Sequence, residues 1–200
     1  MRVLFLSLLA VSLCACNTTR QTLPGRSARE ELLISAAADR AADGLAGALS
    51  PVEGPVYLDT SYLDAPDGKY AIAAIRAAVM RRGYRLTADR PKADAIVEVR
   101  SGALSIDQHK FLIGIPEFAL PIPLTGAVSI PEIALYSVHE DQGVAKFAAT
   151  EFKNDQGTLI TAPDPDFGYS HARKRTVMLF ISWSSQDFLD EKSKDPDDAE

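Results

Sequence analysis

Cysteine is almost absent from this chain. Its 200 residues contain two cysteines, Cys14 and Cys16, and none follows them. An exported domain held together by disulfides carries an even set of cysteines in its body. The sequence therefore excludes a disulfide framework, a thiolate zinc site and a cysteine nucleophile from the part that follows residue 16.

An excess of positive charge is also missing. There are 21 lysines and arginines against 27 aspartates and glutamates, giving a net charge of −6. A protein that holds nucleic acid needs a basic surface, so we predict no nucleic-acid partner. Motifs of serine hydrolases, zinc proteases and phosphate-binding loops are absent too. We predict no enzymatic activity, no cofactor and no metal site; a hydrolase would need His109, His139 or His171 to meet serine and carboxylate groups through the fold.

What the sequence does contain is an N-terminus of the secretory type. Residues 1–15 carry one positive charge, on Arg2, followed by an apolar run too short to span a bilayer permanently. The ending Leu13-Cys14-Ala15-Cys16 resembles the lipobox of bacterial lipoproteins, which are cut before the cysteine that is then acylated. We predict a lipoprotein signal peptide at 1–15 and lipidation of Cys16. Cleavage elsewhere, or an uncleaved anchor, is the alternative.

The lipid on Cys16 would make the membrane a partner of the protein. Asn17 follows the cysteine, and by the enterobacterial sorting pattern this predicts an outer-membrane protein that faces the periplasm, with the inner membrane as the alternative. Residues 16–26 are polar and contain Pro24-Gly25, as expected of a flexible linker. Residues 27–189 have the length of a single periplasmic domain. The acidic segment 190–200 is predicted to be a disordered tail.

The sequence at the beginning of the domain predicts a helix. Ser27 and Glu30 form a capping box, which predicts that a helix begins here. The helical period places seven apolar residues on one half of this helix, and their many alanines predict close packing on a sheet: Leu33, Ile34, Ala37, Ala38, Ala41, Leu45 and Leu49.

The next elements predict a mixed sheet. A strand at 55–60, a helix at 70–82 ended by Gly83 and a strand at 84–88 predict a β-α-β unit, and a half-buried strand follows at 95–101 after the interruption at 90–92. The second half predicts antiparallel hairpins, with turns at 141–143 and 154–157, and a central strand at 177–183. The expected fold class is α+β, with two helices packed on a mixed, largely antiparallel β-sheet.

Residues 111–131 are the unusual segment, with four prolines and one charge. Prolines exclude a regular helix and an interior strand, so we predict a long apolar loop. It either folds over the open face of the sheet or forms an interaction surface for a protein partner, a second subunit or the bilayer. The candidate interaction residues are Phe111, Ile113, Ile115, Phe118, Leu120 and Ile122.

Several segments together resemble a family of uncharacterised bacterial lipoproteins that carry a domain of unknown function. They are residues 26–35, 56–63, 97–104, 130–136 and 143–146. The resemblance implies no activity and no catalytic residues. More distantly, the anchor and the order of elements are similar to modules of curli-assembly lipoproteins and of lipoprotein activators of peptidoglycan synthases, which is an analogy of fold alone.

These observations predict a non-enzymatic, lipid-anchored module of the bacterial envelope, an accessory or protein-interaction module facing the periplasm. It would bind a protein partner or associate with itself through the 111–131 segment. The alternative is a carrier or sensor that binds a lipid or small apolar ligand beneath that segment.

Overall fold

The structure, a computed structural model, describes residues 26–122 and 126–188. The predicted signal peptide, Cys16, nearly all of the linker and the predicted tail lie outside these residues. In chain order the elements are α1 (Ala28–Ala48), β1 (Pro55–Tyr62), α2 (Gly68–Arg81), β2 (Arg85–Thr87), a 3₁₀ turn (Arg90–Lys92), β3 (Ala95–Ile115), β4 (Phe118–Ile122), β5 (Gly126–Ile130), β6 (Ile133–Lys153), β7 (Leu159–Thr161), β8 (Asp166–Val177) and β9 (Ile181–Gln186).

The main sheet is mixed and largely antiparallel. Its strand order is β2-β1-β3-β6-β8-β9, with β7 also paired to β6. Strand β1 runs parallel to β2 and β3, as the β-α-β pattern predicts, and the other pairs are antiparallel. Strands β4 and β5 form a separate two-stranded ribbon. The α+β prediction is confirmed.

Helix α1 begins as the sequence predicts. The Ser27 hydroxyl accepts a hydrogen bond from the Glu30 backbone N–H, and the Glu30 carboxylate accepts one from the Ser27 N–H at 2.7 Å. These bonds satisfy amides that would otherwise have no partner in the first turn. All seven residues of the predicted apolar face are buried.

The backbone of α1 approaches the sheet very closely. A β-carbon added to Gly168 in β8 would lie 1.9 Å from the Ala37 carbonyl oxygen, and one added to Gly143 in β6 would lie 2.5 Å from that of Leu33. Between these glycines the buried Ser170 hydroxyl donates a 2.7 Å hydrogen bond to the Leu33 carbonyl. Small residues on both sides therefore let helix and sheet meet backbone to backbone.

Helix α2 lies beside α1. The Tyr70 hydroxyl donates to Asp39 at 2.9 Å, and the Arg81 guanidinium pairs with Asp43 at 2.5 Å. Gly83 follows the helix with a φ of +92°, the left-handed conformation predicted for its terminator. The predicted turn at 154–157 is also confirmed, because it leads into β7.

Two predictions about the second half are wrong. The predicted turn at 141–143 lies inside β6, where Gly143 provides room for α1 and where β3 and β8 pair with the strand on either side. The predicted central strand at 177–183 is a hairpin, with a turn at Met178–Phe180 and β9 at the sheet edge. Met178 and Leu179 adopt left-handed φ values of 50° and 69°, which bulky residues rarely do and which the sequence therefore gives no reason to expect.

The close approach of α1 gives a testable prediction. Gly168→Ala should lower the free energy of unfolding by about 1–3 kcal/mol, because the added methyl group meets backbone that cannot move independently. Gly47→Ala is the matched control, since its added β-carbon would meet only the Arg82 guanidinium, at 3.1 Å. Urea unfolding of both variants checks this. A Gly168→Ala protein as stable as the wild type would contradict the packing described.

Candidate functional site

Most of the described residues within 111–131 form strands, so the predicted loop is wrong. Phe111–Ile115 continue β3 and pair with the beginning of β6, and Phe118–Ile122 and Gly126–Ile130 form the β4–β5 ribbon. Both strands of a two-stranded ribbon are edge strands, which tolerate proline because one side of each needs no partner. Pro121 lies within β4 for this reason, while Pro116 and Pro131 stand at the two junctions with β3 and β6.

The structure places four of the six candidate residues at the surface. Phe111, Ile113, Ile115 and Phe118 are all exposed, with Phe111 at 56%. Leu120 and Ile122 lie in β4, but their side chains are outside the described part of the structure. Phe111, Ile113 and Ile115 lie within the main sheet itself, so this part of the segment does not fold over the open face of the sheet. Whether these residues bind a partner stays a prediction.

Two further segments extend the same surface. Ile133 and Leu135 at the beginning of β6 are exposed, and the β8–β9 turn lies next to them. The Met178 N–H donates to the Leu135 carbonyl at 2.9 Å, and the Leu179 N–H to that of Ala134 at 3.0 Å. We call the whole surface the distal apolar end. Its exposed residues are Phe111, Ile113, Ile115, Phe118, Val128, Ile133, Leu135, Met178, Leu179, Phe180, Ile181 and Trp183.

Sequence reasoning missed the β8–β9 part of this surface. Because Val177–Trp183 is apolar throughout, it was expected to be a buried central strand, yet Phe180 is 79% exposed. The sequence does carry one signal against a buried strand here. Arg173-Lys174-Arg175 stand just before Val177, and three consecutive positive charges rarely lead directly into a core strand.

Basic residues cross the sheet immediately behind the distal apolar end. Lys110 of β3 pairs in register with His139 of β6, and His139 with Lys174 of β8. One position nearer the turn, Arg175 of β8 pairs with Trp183 of β9. Lys110 forms an ion pair with Glu132. We call Lys110, His139, Lys174 and Arg175 the basic row.

Two of the three histidines meet a carboxylate. His109 pairs in register with Glu140, and His171 Nδ1 lies 3.9 Å from Glu140 Oε1. Arg173 Nη2 lies 2.6 Å from the same oxygen, and this hydrogen bond holds the pKa of Glu140 below its usual value. His139 alternates to the other face of the sheet.

The cavity beside Glu140, with a volume of about 340 Å³, is also lined by Ser185 and Asp187. Activation of a serine requires a hydrogen bond to a histidine that a carboxylate orients. Within the described ranges, the Ser185 hydroxyl makes no hydrogen bond to His171. Asp187 Oδ1 instead accepts the His171 backbone N–H at 2.7 Å, and Oδ2 of Asp187 pairs with Arg40. Nor do the described residues include a group of three or more histidines, cysteines and carboxylates that could hold a metal.

An apolar groove lies at the junction of α1, α2 and β3. Its volume is about 510 Å³, and Leu32, Ile34, Tyr70 and Leu104 are among its lining residues. Its lining is mostly apolar, but no residue of 111–131 contributes to it. A bound apolar ligand would therefore lie under the first turns of α1, and not under the segment that the sequence indicated.

A buried carboxylate lies at the opposite end of the sheet. Glu151 of β6 is completely buried; its Oε2 accepts the Ser50 N–H at 3.2 Å, and Oε1 has no hydrogen-bond partner among the described residues. Burial raises the pKa of Glu151. Burial raises the pKa of Tyr84 to about 12, with a smaller contribution from the negative charge of Glu151. The Tyr84 hydroxyl donates a hydrogen bond to the Ser50 carbonyl. This cluster secures the chain where it leaves α1.

Comparison with known protein families identifies the family of this chain. The family of unknown function DUF6655 matches residues 10–176, which include both helices and almost all of β8. The chain belongs to this family. The expectation of an uncharacterised family is thereby confirmed. No protein of curated function matches the sequence.

The family match extends over α1, α2, strands β1–β7 and all but the last residue of β8. Its boundary at residue 176 falls just before the β8–β9 turn, so β9 and Trp183 lie beyond it. Among the described residues, none of the helices is long and apolar enough to cross a membrane.

The buried Glu151 predicts a pH-dependent stability. Its pKa is raised in the folded state, so folding binds a proton, and stability falls as the pH rises from the unfolded pKa near 4.5 through the folded pKa. Glu151→Gln keeps the acceptor for Ser50 and removes the charge. We expect this variant to be more stable than the wild type above that range, with a flatter pH dependence, in urea unfolding between pH 5 and 8.

Glu53→Gln is the control, because it removes the same charge from an exposed position. If Glu151→Gln were less stable than the wild type at pH 8, the carboxylate would have to be stabilised by a partner that this account lacks.

Proposed function

We propose that this protein is a lipid-anchored, non-enzymatic module of the bacterial envelope, an accessory or interaction module that faces the periplasm. The observation that carries the proposal is the distal apolar end. Twelve large apolar side chains stand exposed at one end of the sheet. Monomeric soluble proteins rarely leave such a surface uncovered, and it usually marks a binding site. The protein therefore acts by docking this end onto another component of the envelope.

The lipid anchor is supported by the sequence. The Leu13-Cys14-Ala15-Cys16 ending follows a short apolar run, and the body of the chain has no cysteine that would need another explanation. The resemblance to uncharacterised lipoproteins supports the same assignment, as does the weaker analogy with envelope-assembly lipoproteins. Asn17 supports the outer membrane, with the inner membrane as the alternative.

A non-enzymatic role is supported by the geometry of the polar groups. The polar groups that come nearest to a catalytic arrangement surround Glu140. They form an ion-paired surface cluster, in which Arg173 donates a hydrogen bond to the Glu140 carboxylate. The Ser185 hydroxyl is not hydrogen-bonded to His171, and Asp187 is occupied by Arg40 and a backbone amide. None of these groups is arranged as a nucleophile with its base.

Cys16→Ser tests the anchor. The variant should lose the lipid mass and leave the membrane fraction, because two or three acyl chains, as in the lipoproteins that this chain resembles, are needed for stable attachment. Cys14→Ser, which alters the cysteine two positions before the predicted acylation site, is the control and should be processed normally. Intact mass and membrane fractionation measure both. Retention of Cys16→Ser on membranes with an unchanged mass would overturn the lipoprotein assignment.

The groove under α1 supports a second candidate, a carrier or sensor for an apolar ligand. Its volume of about 510 Å³ is within the range of small-molecule sites. Ser35→Trp should fill it and abolish binding of a fluorescent fatty acid, while Ser105→Trp, on the sheet and outside the groove lining, should leave binding intact. Native mass spectrometry of the purified protein would show any ligand that accompanies it. No binding to the wild type would exclude this candidate.

A further inference from the structure

The distal apolar end is assembled from two separate stretches of chain, 111–135 and 178–183. The outer parts of β3 and β6, the β4–β5 ribbon and the β8–β9 turn all contribute exposed apolar residues. Such convergence is not expected of scattered surface residues. Exposure of this end of the molecule to water is therefore energetically unfavourable.

The β8–β9 turn holds bulky side chains outward at a conformational cost. Met178 and Leu179 both have left-handed φ values, a conformation that usually requires glycine or asparagine. Their backbone N–H groups are fixed by carbonyls of β6, and Met178, Leu179 and Phe180 remain more than half exposed. Residues held in such conformations often belong to functional sites.

The apolar side chains lie on both faces of the projecting strands. Side chains alternate between the two faces of a strand, so Leu135 and its neighbour Tyr136 point in opposite directions. Tyr136 pairs in register with Ile113 and forms an edge-to-face contact with Phe111, whereas Leu135 is 60% exposed on the other side. A flat protein partner would cover one face. An apolar medium that surrounds the strands covers both.

Polarity increases in steps away from the tip. On the β8–β9 hairpin, the turn Met178–Phe180 comes first and the apolar Val177–Ile181 pair follows. The Thr176–Ser182, Arg175–Trp183 and Lys174–Ser184 pairs come next, in that order. Membrane-docking surfaces show this order, since apolar groups reach the acyl boundary, tryptophan lies at the interface and cations meet the headgroups. Within the described ranges, Lys174 and Arg175 have no carboxylate partner, which leaves their charges available for lipid phosphates.

The direction of α1 brings the predicted anchor to the same side. Its first turn contacts β3 at Gln108, whereas the chain beyond its end reaches Glu151, so the helix begins toward the distal apolar end. From Gln108 to Ile115 the strand extends about 23 Å. The ten residues after Cys16 span up to about 35 Å when extended. A lipid on Cys16 and the distal apolar end can therefore reach one membrane surface together.

We propose that the distal apolar end binds the surface of an anionic phospholipid bilayer, with Met178–Ile181 at the acyl boundary and the basic row at the headgroups. This proposal rests on the proposed function, because it names the envelope component to which the distal apolar end docks. It provides a second attachment besides the lipid, and so holds the domain in a fixed orientation on the membrane.

Trp183, the only tryptophan of the chain, provides the test. The protein purified from cell membranes is mixed with vesicles of phosphatidylethanolamine and phosphatidylglycerol, and its emission is followed with and without brominated lipids. We expect a blue shift and quenching by the brominated lipids. Cys16→Ser protein should show the same response at higher lipid concentration, so a failure of the lipidation assignment is separable from a failure of this proposal.

Two double variants separate the apolar contribution to vesicle binding from the electrostatic contribution. Leu179→Asp with Phe180→Asp should weaken partitioning of Cys16→Ser protein into these vesicles about tenfold or more. Lys174→Glu with Arg175→Glu should weaken it on anionic vesicles and change it little on neutral phosphatidylcholine vesicles. Leu159→Asp is the matched control, because Leu159 is equally exposed but lies on β7 at the other end of the sheet.

Two results would overturn the proposal. One is a Trp183 emission that does not respond to any of these vesicles while the lipidated protein is bound to them. The other is burial of Trp183 that depends on protein concentration and not on lipid, which would identify a second copy of the chain as the occupant. A circular dichroism spectrum identical to that of the wild type verifies that each variant is folded.

Discussion

The contact between α1 and the sheet determines the rest of this structure. Gly143 and Gly168 remove the side chains that would separate helix and strands, and the Ser170 hydroxyl joins them through the Leu33 carbonyl. Helix α1 and strand β6 have 21 residues each. A helix of that length extends about 32 Å, but a strand extends about 70 Å. One helix fixed at Gly143 and Gly168 therefore cannot cover the whole strand, and in the part of the chain that the structure describes no helix lies above the outer half of β6.

This difference in length gives the two ends of the sheet different chemistry. Near the C-terminal end of α1, burial is complete enough to enclose the Glu151 carboxylate. Beyond the N-terminal end of α1, apolar residues continue along β3 and β6 without a cover, and the β8–β9 turn and the β4–β5 ribbon add to them. The basic row marks the boundary between the two regions. An amphiphilic end next to a lipid anchor is the arrangement that leads us to the bilayer as its occupant.

The sequence predicted those parts of the fold in which local chemistry is decisive. The capping box at Ser27, the apolar face of α1 and the left-handed Gly83 were all confirmed because each depends on neighbouring residues. Where tertiary contacts decide, prediction was wrong. Gly143 indicates a turn locally, but it serves a close approach of α1. Met178 and Leu179 carry no turn signal, and the hydrogen bonds that their N–H groups donate to distant β6 carbonyls fix them.

The candidate site was predicted in part for the same reason. The composition of 111–131 left two alternatives, a loop folded over the sheet and an interaction surface, and the exposure of Phe111, Ile113, Ile115 and Phe118 is what the second requires. The strand structure of 111–131 could not be read from the sequence, because it follows from the register of β3 with β6 and of β4 with β5. The contribution of Met178–Trp183 depends on contacts with β6 residues more than 40 positions earlier in the chain.

Depth in the membrane tests the central claim most directly. A spin label at Phe180→Cys can be compared with one at Leu159→Cys in the lipidated protein on anionic vesicles, since all native cysteines lie in the first sixteen residues. The account predicts that oxygen relaxes the label at 180 more than a water-soluble nickel chelate does, with the reverse at 159. Equal exposure of both labels to the chelate would contradict it.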